Sequence, residues 1–309
     1  MNRFTLFIIT ALCILFLGAC NNAQSDKESK QTVKIKTSYE FKDKNKDHNR
    51  GEMKHETIEV PVNPKRVVVM DYGALDVMQQ LKLENRIVAI AKGQGASFLP
   101  NRLKTFKFAS FRQAHTKTLE EMKKAAPNAK IIFISPQNDD YINSIKQNTE
   151  NIGKIFEKRK EAKKLVTQLD DEIAETKKRI DDESVLFLNV DDKGLKTYGS
   201  TGRFGGFLNK DLGIKHPDKQ MKANSSGILI SNEYLNEINP DKLFVIDRTK
   251  KTNRQDKAIP QALQNDVIKN SKAIKNNDVT VFEANSWFFG EGGIGLTIEQ
   301  LEQIQKAYK

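Results

Sequence analysis

Short apolar runs that alternate with helical segments constrain the fold of this chain most strongly. The runs hold five to seven residues rich in Val, Ile and Phe, which is typical of buried strands. They lie at 66–70, 86–91 and 130–135 in the first half and at 184–190, 242–247 and 278–283 in the second. Helical spacing is found at 74–83, 118–126, 139–150, 205–212, 258–270 and 295–308. This alternation predicts an α/β fold in which helices cross over between strands of mainly parallel sheets.

A charged segment without Gly or Pro, Lys154–Ile180, lies between the two halves. Its apolar residues fall on one helical stripe: Ala162, Leu165, Val166, Leu169, Ile173 and Ile180. A helix of this length would be about 40 Å long. The segment predicts one long α-helix at 154–182 that joins two Rossmann-like lobes, at 57–153 and 183–309, each a mainly parallel sheet flanked by helices. A surface helix belonging to a single domain is the alternative.

The N-terminus has the pattern of a secretory signal. An uncharged run from Phe4 to Leu17 covers about 21 Å, too short for a hydrocarbon core of about 30 Å. It ends at Leu17-Gly18-Ala19-Cys20, which resembles the lipobox of bacterial lipoproteins, where the cysteine thiol receives a diacylglycerol. We therefore expect a signal peptide at 1–19, with an ordinary, unlipidated one as the alternative. A lipid anchor on Cys20 and a flexible tether over 20–56 would hold the protein at the cell membrane, facing outside the cytoplasm.

The positive charge of the chain narrows the choice of partners. Lys and Arg number 51 and Asp and Glu 40, a net charge of +11, but the excess is scattered. Scattered charge argues against nucleic acid and favours an anionic ligand or surface. Both cysteines lie in the first twenty residues, and the four histidines form no paired motif, so no protein-held metal is expected. The mean hydropathy of −0.59 excludes a polytopic membrane protein.

A short repeat links the two halves. Glu120 and Glu233 each precede a proline by seven residues, and a predicted strand begins three or four residues after that proline. A glutamate near a helix start is favoured by the helix dipole, which would explain one of the two. Two equivalent glutamates, one per half, are harder to explain in this way.

These features together resemble the iron-siderophore and cobalamin substrate-binding proteins of ABC importers, over roughly 57–309. Residues 198–205 (YGSTGRFG), Asp211-Leu212-Gly213 and Phe244–Arg248 are similar to the catecholate and petrobactin-type binders. The resemblance implies a monomer that carries a ferric siderophore in a cleft between lobes that close little, with no cofactor and no enzymatic activity. It also implies that Glu120 and Glu233 dock on arginines of a permease dimer, which works with its ATPase.

A ferric tris-catecholate is a compact trianion with aromatic faces, so its site needs fixed cations and an apolar wall. Arginine suits this role because its planar guanidinium forks onto oxygens and stacks on rings. Arg112, Arg203 and Arg248 lie where the family has its basic cluster. Tyr198, in the segment that carries the resemblance, is a further candidate contact.

Two positions depart from the petrobactin-type pattern, in which a His and a Tyr coordinate iron directly. Here they are Ser226 and Phe288, neither of which is a good ligand for Fe(III). We therefore expect no direct metal ligand, and iron that is already saturated by its chelator. Trp287 and Phe288 are candidates for the apolar wall, although a lone Trp is as often core packing.

Other interpretations stay open at this point. Heme, a hydroxamate siderophore or cobalamin could be the ligand within the same class of importer. A secreted lipoprotein hydrolase is a rival of another class, but the chain has no G-x-S-x-G motif. A lipidated adhesin is a third. Gly290–Gly295 matches the dinucleotide pattern G-x-G-x-x-G, but too few residues follow it for a second strand, so a turn before the last helix is expected.

Overall fold

The computed structural model describes residues 31–42, 52–90, 114–201, 203–222, 226–249 and 258–308. The predicted signal peptide, Cys20 and Arg112 lie outside these residues. The strands are β1 Thr32–Lys42, β2 Glu52–Pro61, β3 Val67–Val69, β4 Ile87–Ile90, β5 Ala114–His115, β6 Val185–Asp191, β7 Gly194–Thr197, β8 Ile228–Ile230, β9 Lys242–Asp247 and β10 Val279–Phe282. The helices are α1 Tyr72–Gln80, α2 Thr116–Ala125, α3 Tyr141–Ile155, α4 Arg159–Arg179, α5 Asn232–Ile238, α6 Lys272–Lys275, α7 Ala284–Phe289 and α8 Ile294–Ala307. None of the helices in these ranges is both long and apolar enough to cross a lipid bilayer.

The second half of the chain forms a five-stranded sheet in the order β10-β9-β6-β7-β8. Strands β10, β9 and β6 run parallel, and β7 and β8 add an antiparallel edge. Along β6 the side chains alternate between two cores: Phe187 packs in one and Leu188 in the other. A strand buried on both faces appears in sequence as a continuous apolar run, which is why these strands are predictable. The α/β class is confirmed.

Of the three strands predicted in the first half, two form among the described residues. Strands β3 and β4 form a parallel pair, close to the predicted runs at 66–70 and 86–91. The predicted strand at 130–135 does not form, because its carbonyl groups bond to side chains. The carbonyl oxygen of Phe133 accepts a hydrogen bond from Thr37 Oγ1, and that of Ile134 accepts one from Asn148 Nδ2 at 2.7 Å. Phe133 also stacks on Tyr39, with ring centroids 3.9 Å apart.

The predicted tether over 20–56 is ordered in part. Strands β1 and β2 pair antiparallel from Thr32 with Pro61 to Phe41 with Glu52. The candidate edge strand at 31–41 is therefore a long strand, and the folded body begins before residue 57. Ile35, which is fully buried, and Val60 anchor the hairpin to the main core.

The predicted linking helix is interrupted near its start. Helix α3 ends at Ile155, and α4 begins at Arg159 after Glu157, which has a left-handed φ of 59°. Neither Gly nor Pro marks this break in the sequence. The uninterrupted part, α4, has 21 residues and is about 32 Å long.

Helix α8 leaves the second half and packs against α4 and α1. Gln305 Nε2 donates to Thr176 Oγ1 at 3.0 Å and to Glu172 Oε2 at 2.9 Å, both on α4. The last helix, predicted within the C-terminal lobe, thus joins elements of both halves.

Candidate functional site

Polar and aromatic side chains converge at the carboxyl ends of the parallel strands in the five-stranded sheet. Arg248 directly follows β9, and its backbone N–H donates to the carbonyl oxygen of Val190 on β6 at 2.8 Å. Phe288 lies on α7, which follows β10, and Arg203 lies in the turn after β7. Ligands of open α/β sheets bind at this edge. The end of β9 places Arg248 there, whereas Arg203 follows an antiparallel strand and reaches this edge through its contact with Phe288.

Phe288 contacts both arginines. The guanidinium carbon of Arg248 is 3.6 Å from the centroid of the Phe288 ring, and that of Arg203 is 4.1 Å from it. Arg203 Nη2 also donates to the carbonyl oxygen of Phe288. Cations over an aromatic face are attracted by its quadrupole, by up to about 2 kcal/mol when they are desolvated. The ring therefore holds two like charges near each other.

Arg203 is also part of a buried ion pair. Its Nε lies 3.0 Å from Glu291 Oε2, and the two side chains are 9% and 7% exposed. The Phe204 ring covers the guanidinium as well, at 4.8 Å. Removing one partner of such a pair costs about 3–5 kcal/mol, because the other charge stays buried. Arg203 is thus a fixed cation and not a solvated surface residue.

Arg248 has an acidic neighbour in Asp191 at the end of β6. Asp191 Oδ2 lies 2.6 Å from Lys196 Nζ. Burial raises the pKa of Asp191, but the hydrogen bonds from Lys196 and the Lys193 backbone, with the charges of Lys196 and Arg248, bring it below its usual value. Asp191 is therefore ionised at neutral pH, beside two cations.

Tyr198 lies beneath the arginines and is buried. Asn189 Nδ2 donates to its hydroxyl at 3.1 Å, and its ring packs edge-on against Phe204 at 4.9 Å. Burial raises the pKa of Tyr198, against the charge of Arg203 and the hydrogen bond from Asn189. Tyr198 is thus a protonated phenol at neutral pH, and it supports the site from below.

Trp287 belongs to the core and not to the predicted apolar wall. It is 1% exposed and stacks on Phe282 with ring centroids 4.5 Å apart. Its Nε1 donates to Gln303 Oε1 at 3.0 Å. Of the two predicted wall residues, the structure therefore places only Phe288 against the arginines.

The remaining predicted site residues are Ser226, Glu120 and Glu233. Of these only Ser226 lies near the group, because its neighbour Gly227 packs against the Tyr198 ring. Ser226 is exposed at the start of a described range. Glu120 on α2 and Glu233 in the first turn of α5 are both exposed. Hydrogen bonds from its own backbone N–H and from Ser231 lower the pKa of Glu233. In the second copy of the repeat, helix, proline and strand follow as predicted, whereas the first copy lacks its strand.

Two buried acids were not predicted from the sequence: Glu291, which pairs with Arg203, and Asp76, which holds the start of α8. Glu291 was hidden in the Gly-rich turn. Asp76 lies within an apolar stretch of α1, and a carboxylate at such a position is the sequence feature that could have indicated a buried acid. Its Oδ2 accepts hydrogen bonds from the backbone N–H groups of Gly295, at 2.7 Å, and Leu296, at 3.3 Å.

A groove of about 490 Å³ lies elsewhere on the molecule, beside α5. Its lining is mainly apolar, with Asp218 and Lys222 as charged residues. Its chemistry does not match a polyanionic ligand, so we place the candidate site at the arginines.

The family model described as "Periplasmic binding protein" matches residues 108–285, more than half of the chain. The chain belongs to the periplasmic binding protein family. The match includes Arg112, Arg203 and Arg248. The family resemblance drawn from the residues is confirmed at this level.

Named relatives cover almost the whole of this periplasmic binding protein. The petrobactin-binding protein YclQ of Bacillus subtilis is 26% identical over 99% of this chain and 98% of its own. The ferric-anguibactin-binding protein FatB of Vibrio anguillarum is 25% identical over 85% of this chain and 87% of its own. The crystal structure of YclQ superposes with a TM-score of 0.71, covering 91% of this chain and 99% of that one. The catecholate-siderophore binding protein VctP of Vibrio cholerae superposes with a TM-score of 0.70, covering 89% of this chain and 100% of that one, at 22% identity. This likeness supports the fold alone.

Proposed function

We propose that this periplasmic binding protein captures an anionic ferric siderophore of the catecholate type and delivers it to an ABC permease for iron uptake. The observation that carries the proposal is the pair of arginines that contact one aromatic ring, that of Phe288, at the carboxyl edge of the sheet. It is a binding function and needs no catalytic residue.

The arginine pair suits a compact polyanion with aromatic faces. The partly exposed Arg248 can fork onto catechol oxygens, Arg203 adds a fixed positive charge behind it, and the exposed part of Phe288 offers an apolar contact. Arg112, from the segment outside the described residues, is proposed as the third cation. A neutral hydroxamate complex would gain little from these charges, so the site should discriminate by ligand charge.

The names of the relatives agree with this class of ligand. YclQ is named for petrobactin and FatB for ferric anguibactin, and both names describe siderophore binding. Neither relative exceeds 26% identity, so their ligands suggest the class and not the compound.

We propose further that the iron arrives fully coordinated by its chelator. Phe288 has no donor atom for iron, and Tyr198 is a protonated phenol that is bonded to Asn189. The visible spectrum of the complex should therefore match that of the free hexadentate chelate. A new tyrosinate band in a complex with a tetradentate chelate would contradict this.

Delivery requires an anchor and a docking surface. We propose a lipid on Cys20 for the first, and the exposed carboxylates of Glu120 and Glu233 for the second. Mass spectrometry of protein from membranes would test the lipid, since an unmodified Cys20 or a chain cut elsewhere would contradict it.

The test of the binding function is a calorimetric titration with a ferric tris-catecholate and, in parallel, a ferric trihydroxamate. Replacement Arg248→Gln should weaken catecholate binding by about tenfold or more, because one charge-assisted contact is lost. The matched control is Arg179→Gln, an exposed arginine on α4 that should leave binding unchanged. A preference for the hydroxamate, or equal binding by both Gln variants, would contradict the proposal.

A further inference from the structure

The glycine-rich segment Gly290–Gly295 packs directly against helix α1. A Cβ atom on Gly73 of α1 would lie 2.6 Å from the carbonyl oxygen of Glu291, and one on Gly293 would lie 2.7 Å from Asp76 Oδ2. These approaches are too short for any side chain, so only glycine allows the contact. The G-x-G-x-x-G pattern therefore serves close packing and not a phosphate.

Asp76 fastens this segment to α1. Its carboxylate is 6% exposed and accepts hydrogen bonds from the N–H groups of Gly295 and Leu296, in the first turn of α8. Such groups have no partner within their own helix, and the helix dipole favours an anion beside them. Upstream, the N–H of Gly292 donates to Tyr141 Oη at 3.3 Å. The segment is thus held at two points by residues of the first half.

Glu291 contacts both helix α1 and Arg203. Its backbone lies against Gly73, and its side chain pairs with Arg203 at 3.0 Å. Because the Glu291 backbone is packed against α1, the position of its carboxylate is restricted, and the carboxylate in turn restricts the position of the Arg203 guanidinium. The place of the guanidinium is set from outside the C-terminal sheet.

We propose that Glu291 is a positioning residue for Arg203, and that the docking of Gly290–Gly295 on helix α1 sets where it holds the guanidinium. The inference rests on the proposed function in one respect, that Arg203 contacts the ligand. It adds a physical connection between the ligand site and the first half of the chain, through Asp76, the start of α8 and Glu291. A disturbance at Asp76 must then reach Arg203, which it does not touch.

The direct test is an NMR measurement of the Arg203 Nε–H, assigned by its loss in Arg203→Lys. A buried, paired Nε–H exchanges slowly and is resolved from exposed arginines. In Glu291→Ala the signal should exchange at least about tenfold faster, because the guanidinium loses the carboxylate that lies 3.0 Å from its Nε. Glu291→Gln fills the same space without the charge, so its exchange rate should lie between those of the Ala variant and the natural protein. The matched control, Glu302→Gln on an exposed position of α8, should leave the signal unchanged.

The long-range part is tested at Asp76. Both Asp76→Asn and the harsher Asp76→Ala should shift the Gly295 amide and the Arg203 Nε–H together. If the Gly295 amide moves while the Arg203 signal stays in place, the connection is absent. If the Gly295 amide does not move in a folded variant, the docking itself is absent. Either result overturns the inference.

A titration with ferric tris-catecholate adds the functional arm. Glu291→Ala should weaken binding by about threefold to tenfold in the natural chain and by less than about twofold in Arg203→Lys, since residues that act through one another are not additive. Equal losses in both backgrounds would overturn the inference. If the natural chain binds no siderophore, the proposed function fails, and the NMR result still decides the positioning role.

Discussion

The Arg248 guanidinium lies on the Phe288 ring, with its central carbon 3.6 Å from the ring centroid. Arg203 lies 4.1 Å from the same ring. One aromatic side chain therefore contacts two cations, whose mutual repulsion would otherwise favour a larger separation.

The ring itself is therefore expected to matter for binding. Replacement Phe288→Leu keeps an apolar side chain but removes the π-face, and we expect ferric tris-catecholate affinity to fall about fivefold. Calorimetric titration is the measurement. Phe41→Leu is the matched control. The Lys54 Nζ atom lies 4.9 Å from the centroid of the Phe41 ring, so this is also a cation on an aromatic ring, but on strand β1 and not in the candidate site. Affinity unchanged in Phe288→Leu would mean that the ring does not organise the arginines.

Gly73→Ala separates helix propensity from packing. Alanine in an open helix would stabilise it by about 1 kcal/mol. At Gly73 the new Cβ would meet the Glu291 carbonyl at 2.6 Å, so we expect a lower free energy of unfolding in a urea titration. Asn236→Ala, on an exposed position of α5, should be neutral or slightly stabilising. A stabilised Gly73→Ala protein would contradict the tight docking of residues 290–295.

Asp76 gives a pH dependence of known sign. Burial raises its pKa from 3.8 to about 6, against hydrogen bonds from Gln80, Leu296 and Gly295, and Glu299 on α8 raises it further. The folded protein therefore binds this proton more tightly than the unfolded chain. The stability from this group is fully present below about pH 4 and is lost as the pH rises through about 6.

Replacement Asp76→Asn removes this titration. Relative to the natural protein, the Asn variant should gain about 2 kcal/mol of unfolding free energy between pH 4 and pH 7.5. Urea unfolding at the two pH values measures it, with exposed Asp192→Asn as the control. Parallel stability curves for the natural protein and Asp76→Asn would show that Asp76 is not proton-linked.

Docking on the permease is expected to depend on charge at two exposed positions. Glu120→Gln with Glu233→Gln should lower the ATPase stimulation of the reconstituted permease by about tenfold, with ligand affinity unchanged, because buried interfacial charge pairs are costly to break. Glu237→Gln, exposed on the same helix as Glu233, is the control. Full stimulation by the double variant would place docking elsewhere.

The sequence predicted best the strands that are buried on both faces. The predicted runs at 184–190, 242–247 and 278–283 agree with β6, β9 and β10 to within one residue at every end. A continuous apolar run of this length is typical of a strand that is buried on both faces. Short β7 and β8 were not predicted, and the charged strands of the β1–β2 hairpin were only partly recognised. The break at Glu157 has no local signal, because a non-glycine residue takes the left-handed conformation there.

The arginines of the site could be identified from the sequence, whereas its buried carboxylate could not. Arg248 follows the end of a predicted strand, and Arg203 lies in the Gly-rich segment that carries the family resemblance, so both have a local signal. The partner of Arg203 is Glu291, 88 residues away in the chain, and only the tertiary packing brings the two together. Trp287 could not be assigned to wall or core from its neighbours alone, and the structure places it in the core.

The central claim is tested most directly by fluorescence titration of the natural protein, in which Trp287 is the only tryptophan and lies next to Phe288 in the chain. Ferric tris-catecholate is added to one sample, and ferric trihydroxamate and heme to two others. The account predicts saturable quenching at submicromolar catecholate, weaker by about tenfold or more in Arg248→Gln, with no comparable response to the other two. Saturable binding of the hydroxamate or of heme in preference to the catecholate would contradict it.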